Sequence, residues 1–172
     1  MNPRLRRFAL TAHITASVGW LGAIVGFLAL AVAGIASEDV ETVRSAYLMM
    51  EMFGWFVLVP FAIASLVTGL VQSLGTKWGL FRHYWVLAKL LINLFATVVL
   101  LAYMQTLREL REITAATSLA DLDAVRSPSP LLHAGAALGL LLVAMILAVY
   151  KPRGMTAYGQ RKQREQRAPR PL

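Results

Sequence analysis

Apolar and polar positions divide this chain into four long apolar stretches separated by short polar segments. Phe8 to Ala36 carries no charge unless His13 is protonated. Met52 to Leu74 and Leu90 to Leu107 carry none, and His133 to Tyr150 carries none unless His133 is protonated. Each stretch reaches or approaches the run of about 18 to 20 residues that crosses roughly 30 Å of hydrocarbon at about 1.5 Å per residue. The pattern predicts an all-α, integral membrane four-helix bundle over residues 1–150, with helices at about 8–36, 51–74, 83–107 and 131–150. A basic tail over 151–172 is too polar to fold alone and is expected to be disordered, resting on anionic lipid.

The polar segments refine this picture. "SEDVE" after Ser37 reads as the cap of a short interfacial helix reaching Met50, before the second span begins near Glu51. Pro60 lies inside that span and removes a backbone hydrogen bond, which predicts a kink near mid-membrane without requiring a gate. "GTKWGL" is short enough to make the second and third spans antiparallel neighbours. "SLAD" reads as a capping box for a short surface helix, and "SPSP" as the start of the fourth span.

Composition agrees with a bilayer environment: 58% of the 172 residues are hydrophobic and 15% are charged. The net charge of +8 is arranged by loop. With both termini cytoplasmic, the inside holds Arg4, Arg6, Arg7, Lys77, Arg82, Lys151, Arg153, Arg161, Lys162, Arg164, Arg167 and Arg170, with Glu165 as its one acid. The outside holds Arg44, Arg108, Arg111 and Arg126 against eight acids. This is the positive-inside pattern of a bacterial plasma membrane protein, so the basicity reports topology and not nucleic-acid binding. The first apolar run is about twice a signal-peptide core of ~7 to 15 residues, so it reads as a retained helix. There is no cysteine, which excludes disulfides, thiolate metal sites, iron–sulfur clusters and a cysteine nucleophile. No phosphate-binding glycine loop, serine elbow or other enzyme signature is present.

Helix contacts in lipid depend on small residues. Thr15, Gly19, Gly22 and Gly26 form one stripe, Gly135 and Gly139 another, and Gly54, Leu58, Ser65, Thr68 and Gln72 share a face of the second span; all three are expected to line the bundle. Association with a membrane partner or a second copy follows as the first functional expectation.

Candidate chemistry is sparse. His13 and His83 lie near the cytoplasmic ends of two spans, where two imidazoles across a bundle can hold haem b; the plainer reading makes both of them interfacial. His13 falls about 180° from Gly22, on a face with Ser17 and Trp20. His133 lies at the opposite end, roughly 30 Å away, so a three-histidine zinc centre is not expected. Trp78, Arg82, Tyr84, Trp85 and Lys89 form an aromatic and basic collar suited to interface anchoring, with Lys89 extending back toward the cytoplasm. At the outer mouth, Met49, Met50, Glu51 and Met52 stand level with His133, a thioether, carboxylate and imidazole set suited to copper(I), though methionines there also serve as packing.

In "TAHITASVGWLGA", "GLVQSLGTKWGLFRHYWVLAKLL" and "VYKPRGMTAYG" the chain resembles an uncharacterised actinobacterial family of small four-helix integral membrane proteins, over nearly its whole length. That resemblance implies the fold and no activity. On His13, Trp20, Gly22, His83 and Lys89 alone, the chain is also similar to copper-resistance D membrane proteins, which implies copper handling.

Overall fold

A computed structural model describes residues 2–75, 79–116 and 126–167. Helix α1 spans Pro3–Ala36; the Asn2 side chain accepts from Arg4 N–H at 3.1 Å, and Pro3 occupies a first-turn position where its missing N–H costs nothing. Helix α2, Val40–Phe53, is capped by Asp39, whose Oδ2 accepts from Thr42 N–H at 2.9 Å and from Thr42 Oγ1 at 2.6 Å. A π-helical turn, Gly54–Leu58, joins it to α3, Val59–Gly75. Helix α4 covers Tyr84–Ala116, α5 covers Ser129–Tyr150, and α6 covers Ala157–Arg167.

Val40–Gly75 is therefore one rod of 36 residues and not an interfacial helix followed by a separate span. "YLMMEMF" contains no glycine or proline, so nothing there stops the helix. Pro60 acts in a different way from a simple kink. Just before it, Val59 N–H reaches the Gly54 carbonyl five residues back, and the widened turn accommodates a ring that would otherwise strike the carbonyl of the preceding turn.

Among the described residues, four helices have the length and apolarity to cross a membrane: α1, the α2–α3 rod, α4 and α5. They form a square in which α1 touches the rod and α5, and α4 touches the rod and α5. Four successive antiparallel spans put both chain ends at one end of the bundle, called the terminal end; the opposite end is the loop end. The core runs through Trp20, Ile24, Phe27, Tyr47, Met50, Leu58, Met104 and Leu107.

The glycine stripe of α1 packs inward only in part. A Cβ on Gly19 would lie 2.6 Å from Phe61, and one on Gly26 3.5 Å from Phe53, but Gly22 meets nothing within 4 Å. Trp20, 2% exposed, faces inward instead, with Ala16, Ala23 and Phe27. Lipid solvates glycine as readily as leucine, whereas the Ser17 and His13 groups on that face need polar partners that only another helix supplies. Gly54 does pack tightly, because a Cβ there would come within 2.6 Å of Met104 Sδ.

The segment past Tyr150 is folded back. Lys151 turns the chain with φ 45°, Thr156 N–H donates to the Arg82 carbonyl at 3.0 Å, Thr156 Oγ1 donates to the Phe81 carbonyl, and His83 and Met155 form an isolated antiparallel bridge. A Cβ on Gly159 would collide with the Arg82 backbone, so only glycine permits this approach. These contacts anchor a helix where an unstructured tail was expected; local polarity gave no sign of the long-range bonds to residues 81–83. The "SLAD" capping box, Lys77 and Trp78 lie outside the described residues.

Candidate functional site

Inside the terminal half of the bundle, α1, α3 and α4 bring six polar side chains together. His13 and Ser17 stand one turn apart on α1, Ser65 and Thr68 one turn apart on α3, and Lys89 and Asn93 one turn apart on α4. Ser17 Oγ and Ser65 Oγ are 2.9 Å apart, and Asn93 Nδ2 donates to Ser65 Oγ at 3.2 Å. Ser65, 1% exposed, thus links three helices through one hydroxyl. The Asn93 Oδ1 atom is buried and accepts no hydrogen bond.

Thr68 orients the ring of His13. Thr68 Oγ1 donates its proton to the Ala64 carbonyl at 2.5 Å, so its lone pairs face His13 Nδ1 at 3.1 Å. An Nδ1–H donated to that oxygen fits this arrangement, and the Ser65 backbone carbonyl is a second acceptor beside the ring. Gly69 makes room for the ring, since a Cβ there would lie 3.1 Å from His13 Cε1.

His83 is placed differently. It lies in the segment between α3 and α4, with its backbone bridged to Met155 and its ring 6.3 Å from that of Trp85. His13, level with Thr68 and Gly69, is six to seven residues from the end of α3, or about 10 Å deeper. The collar residues gather at this terminal end: Lys89 Nζ is 5.8 Å from the Trp85 ring centroid, and Tyr84 is exposed.

At the loop end the copper candidates point in several directions. Met50 is buried in the core, Met49 and Met52 are exposed, and Glu51 Oε2 is ion-paired with Arg111 Nε at 2.7 Å. The ring of His133 stacks on Tyr103, with centroids 4.1 Å apart and planes 19° apart. His133 Nδ1 lies 2.9 Å from the Ser129 carbonyl, and Tyr103 Oη lies 3.0 Å from Ser129 Oγ. Among the described residues no three His, Asp or Glu side chains converge to hold a metal ion.

Sequence reasoning missed Tyr103 and the cavity below it. An apolar cavity of about 230 Å³ runs between α1, α4 and α5, lined by Trp20, Ala96, Leu100, Ala137 and Leu140 among others, and it opens beside the exposed Phe95 and Ala136. The alanines on facing stripes of α4 and α5 were the available signal. No protein-family model, curated protein or solved structure matches the chain.

Proposed function

We propose that this is a plasma-membrane protein, non-catalytic and with both termini in the cytoplasm, that works by packing α5 against a helix of a partner or of a second copy. The observation supporting this reading is that Gly135 and Gly139 are exposed, and a Cβ on either would meet nothing within 4 Å. Glycine in a helix interior costs about 1 kcal/mol relative to alanine, and nothing inside the chain uses the space it leaves. A Gly-xxx-Gly face flanked by Leu132, Leu142 and Ile146 gives another helix the close backbone approach that association in lipid requires. Because the natural chain has no cysteine, a Leu142→Cys variant carries a single reporter thiol. Oxidative and short-linker cross-linking in native membranes should yield a dimer or a discrete adduct with a second protein; monomer alone would defeat the reading.

A second reading, haem b held by His13 and His83, draws support from the bond of Thr68 to His13 Nδ1, the kind of contact that orients a ligating imidazole. Its test is the absorption spectrum, oxidised and reduced, of protein expressed with ample haem. A Soret band that shifts on reduction and is lost in His13→Ala and His83→Ala supports it, and a flat spectrum removes it.

A further inference from the structure

The cavity between α1, α4 and α5 has an uneven lining. Trp20, Phe27, Phe95, Tyr103 and His133 bring rings to it, and the other lining residues are aliphatic. Its polar groups are few, and their bonding can be followed one by one. Tyr103 Oη is engaged by Ser129 Oγ at 3.0 Å. His133 Nδ1 lies 2.9 Å from the Ser129 carbonyl, and a carbonyl oxygen only accepts, so that bond places the hydrogen on Nδ1. Nε2 of the neutral ring then carries a lone pair, and among the described residues it has no partner. Trp20, 2% exposed, lines the same cavity, and among the described residues its indole N–H donates to nothing. A buried indole N–H ordinarily finds an acceptor. The lining therefore holds one unused donor on α1 and one unused acceptor on α5, between walls rich in aromatic rings.

A ligand that answers both groups needs an oxygen that accepts from Trp20 and a hydroxyl that donates to His133. An acyl chain offers neither, and a quinone, with carbonyls alone, offers only the first. A hydroquinone offers both. We propose that the cavity binds a hydroquinone with an apolar tail, its ring among the aromatic side chains and one hydroxyl donating to His133 Nε2.

Size and depth agree. At about 230 Å³ the cavity exceeds the roughly 150 Å³ that accepts benzene, which leaves room for ring substituents and the first carbons of a tail. His133 is four residues past the start of α5, about 6 Å along it, so a hydroxyl bound there stays near the loop-end boundary. Leu140, seven residues on, puts the inner wall about 10 Å deeper. The opening beside the exposed Phe95 and Ala136 faces the bilayer, where the tail can lie. Aromatic pairs stack or meet edge to face, which favours a ring here over a chain of equal volume. The site is separate from the helix-docking face, because Gly135 and Gly139 lie about 130° to 170° around α5 from the stripe of His133, Ala137 and Leu140.

Trp20 is also the reporter, since bromine in contact with an indole quenches its fluorescence. With Trp55, Trp78 and Trp85 changed to phenylalanine, the full chain carries one tryptophan and is reconstituted under argon into phosphatidylcholine vesicles. The probe is a ring-brominated hydroquinone with a decyl tail. Its dimethyl ether is the matched control, alike in ring and tail but unable to donate. The hydroquinone should half-quench Trp20 at a mole fraction roughly threefold to tenfold below that of the ether, the range expected for one hydrogen bond. His133→Phe, which keeps a ring on Tyr103, should bring the two probes level, and Ala137→Phe should weaken quenching by both. Equal quenching of the His133 protein by the two probes would overturn the proposal, whether or not His133→Phe folds. So would a preference that survives His133→Phe, or quenching by the hydroquinone that Ala137→Phe leaves unchanged. Quenching by chain-brominated phosphatidylcholine that excess unbrominated hydroquinone does not relieve would hand the cavity to a lipid chain, and overturn it too.

Discussion

Replacing Ser65 by alanine tests the polar cluster at its joint. The hydroxyl is buried, contacts Ser17 at 2.9 Å and accepts from Asn93 at 3.2 Å, so the change removes one bond to α1 and one to α4. Interhelical hydrogen bonds in a bilayer are worth about 0.6 kcal/mol each, which puts the direct loss near 1.2 kcal/mol. Ser17 can turn back to a carbonyl of its own helix, but Asn93 is left with an unpaired amide beside an oxygen that already lacks a donor. Ser65→Ala should therefore destabilise the bundle by about 1 to 2 kcal/mol. Ser73→Ala is the matched control, because Ser73 Oγ donates only within α3, to the Gly69 carbonyl at 2.7 Å, and its loss should cost less than about 0.5 kcal/mol. Reversible unfolding in mixed micelles, followed by circular dichroism, reads both. A cycle with Asn93→Leu should return a coupling near 0.6 kcal/mol. If Ser65→Ala and Ser73→Ala cost the same, the three-helix junction is not the source of stability assigned to it.

Gly135→Ile should leave the isolated bundle as stable as before, since a side chain there meets nothing, yet lower cross-linking through Leu142→Cys at least tenfold; Gly19→Ile should instead destabilise the fold by about 1 to 3 kcal/mol through Phe61. Breaking the Glu51–Arg111 pair, in which Glu51 is 16% exposed and Arg111 35%, should show a coupling of about 1 kcal/mol in a Glu51→Gln, Arg111→Gln cycle. The Thr42 hydroxyl and N–H hold the Asp39 carboxyl below its ordinary range. A depressed carboxyl stabilises above its unfolded pKa and loses that contribution as pH falls through the folded value, so the α2 cap should persist at neutral pH and release only in acid. Hydrogen exchange at Thr42 against pH reads this directly, and Asp39→Asn should flatten the acid limb.

The four spans were legible because in lipid they follow from a one-dimensional pattern, the length of an apolar run. Gly54, Leu58 and Ser65 also took their places in the interior as helical spacing implies. Misplaced features depended on partners distant in sequence. Glycine spacing alone could not say whether Gly22 or Trp20 faces inward, because in a bilayer the choice is made by the polar bonds His13 and Ser17 find on α3. Pro60 announced a disturbance, but only the Val59 N–H bond to the Gly54 carbonyl shows that it takes the form of a π turn. The helix past Tyr150 depends on Thr156 and Gly159 meeting the backbone of residues 81–82, a pairing no local signal reports. As for the site, His13 was visible as a histidine in the first span, while its bond to Thr68, the orphan oxygen of Asn93 and the Tyr103–His133 stack required three dimensions.

Topology is the most direct measurement, because the proposed docking on α5 rests on four spans with the termini on the cytoplasmic side. Single cysteines placed at Ser37 and Ser127, at the loop end, and at Thr156, at the terminal end, are labelled in intact cells with a membrane-impermeant maleimide. The expected result is labelling of Ser37→Cys and Ser127→Cys from outside, with Thr156→Cys reacting only after the membrane is opened. Labelling of Thr156→Cys in intact cells, or of Ser37→Cys and Ser127→Cys from opposite sides, would contradict the four-span account.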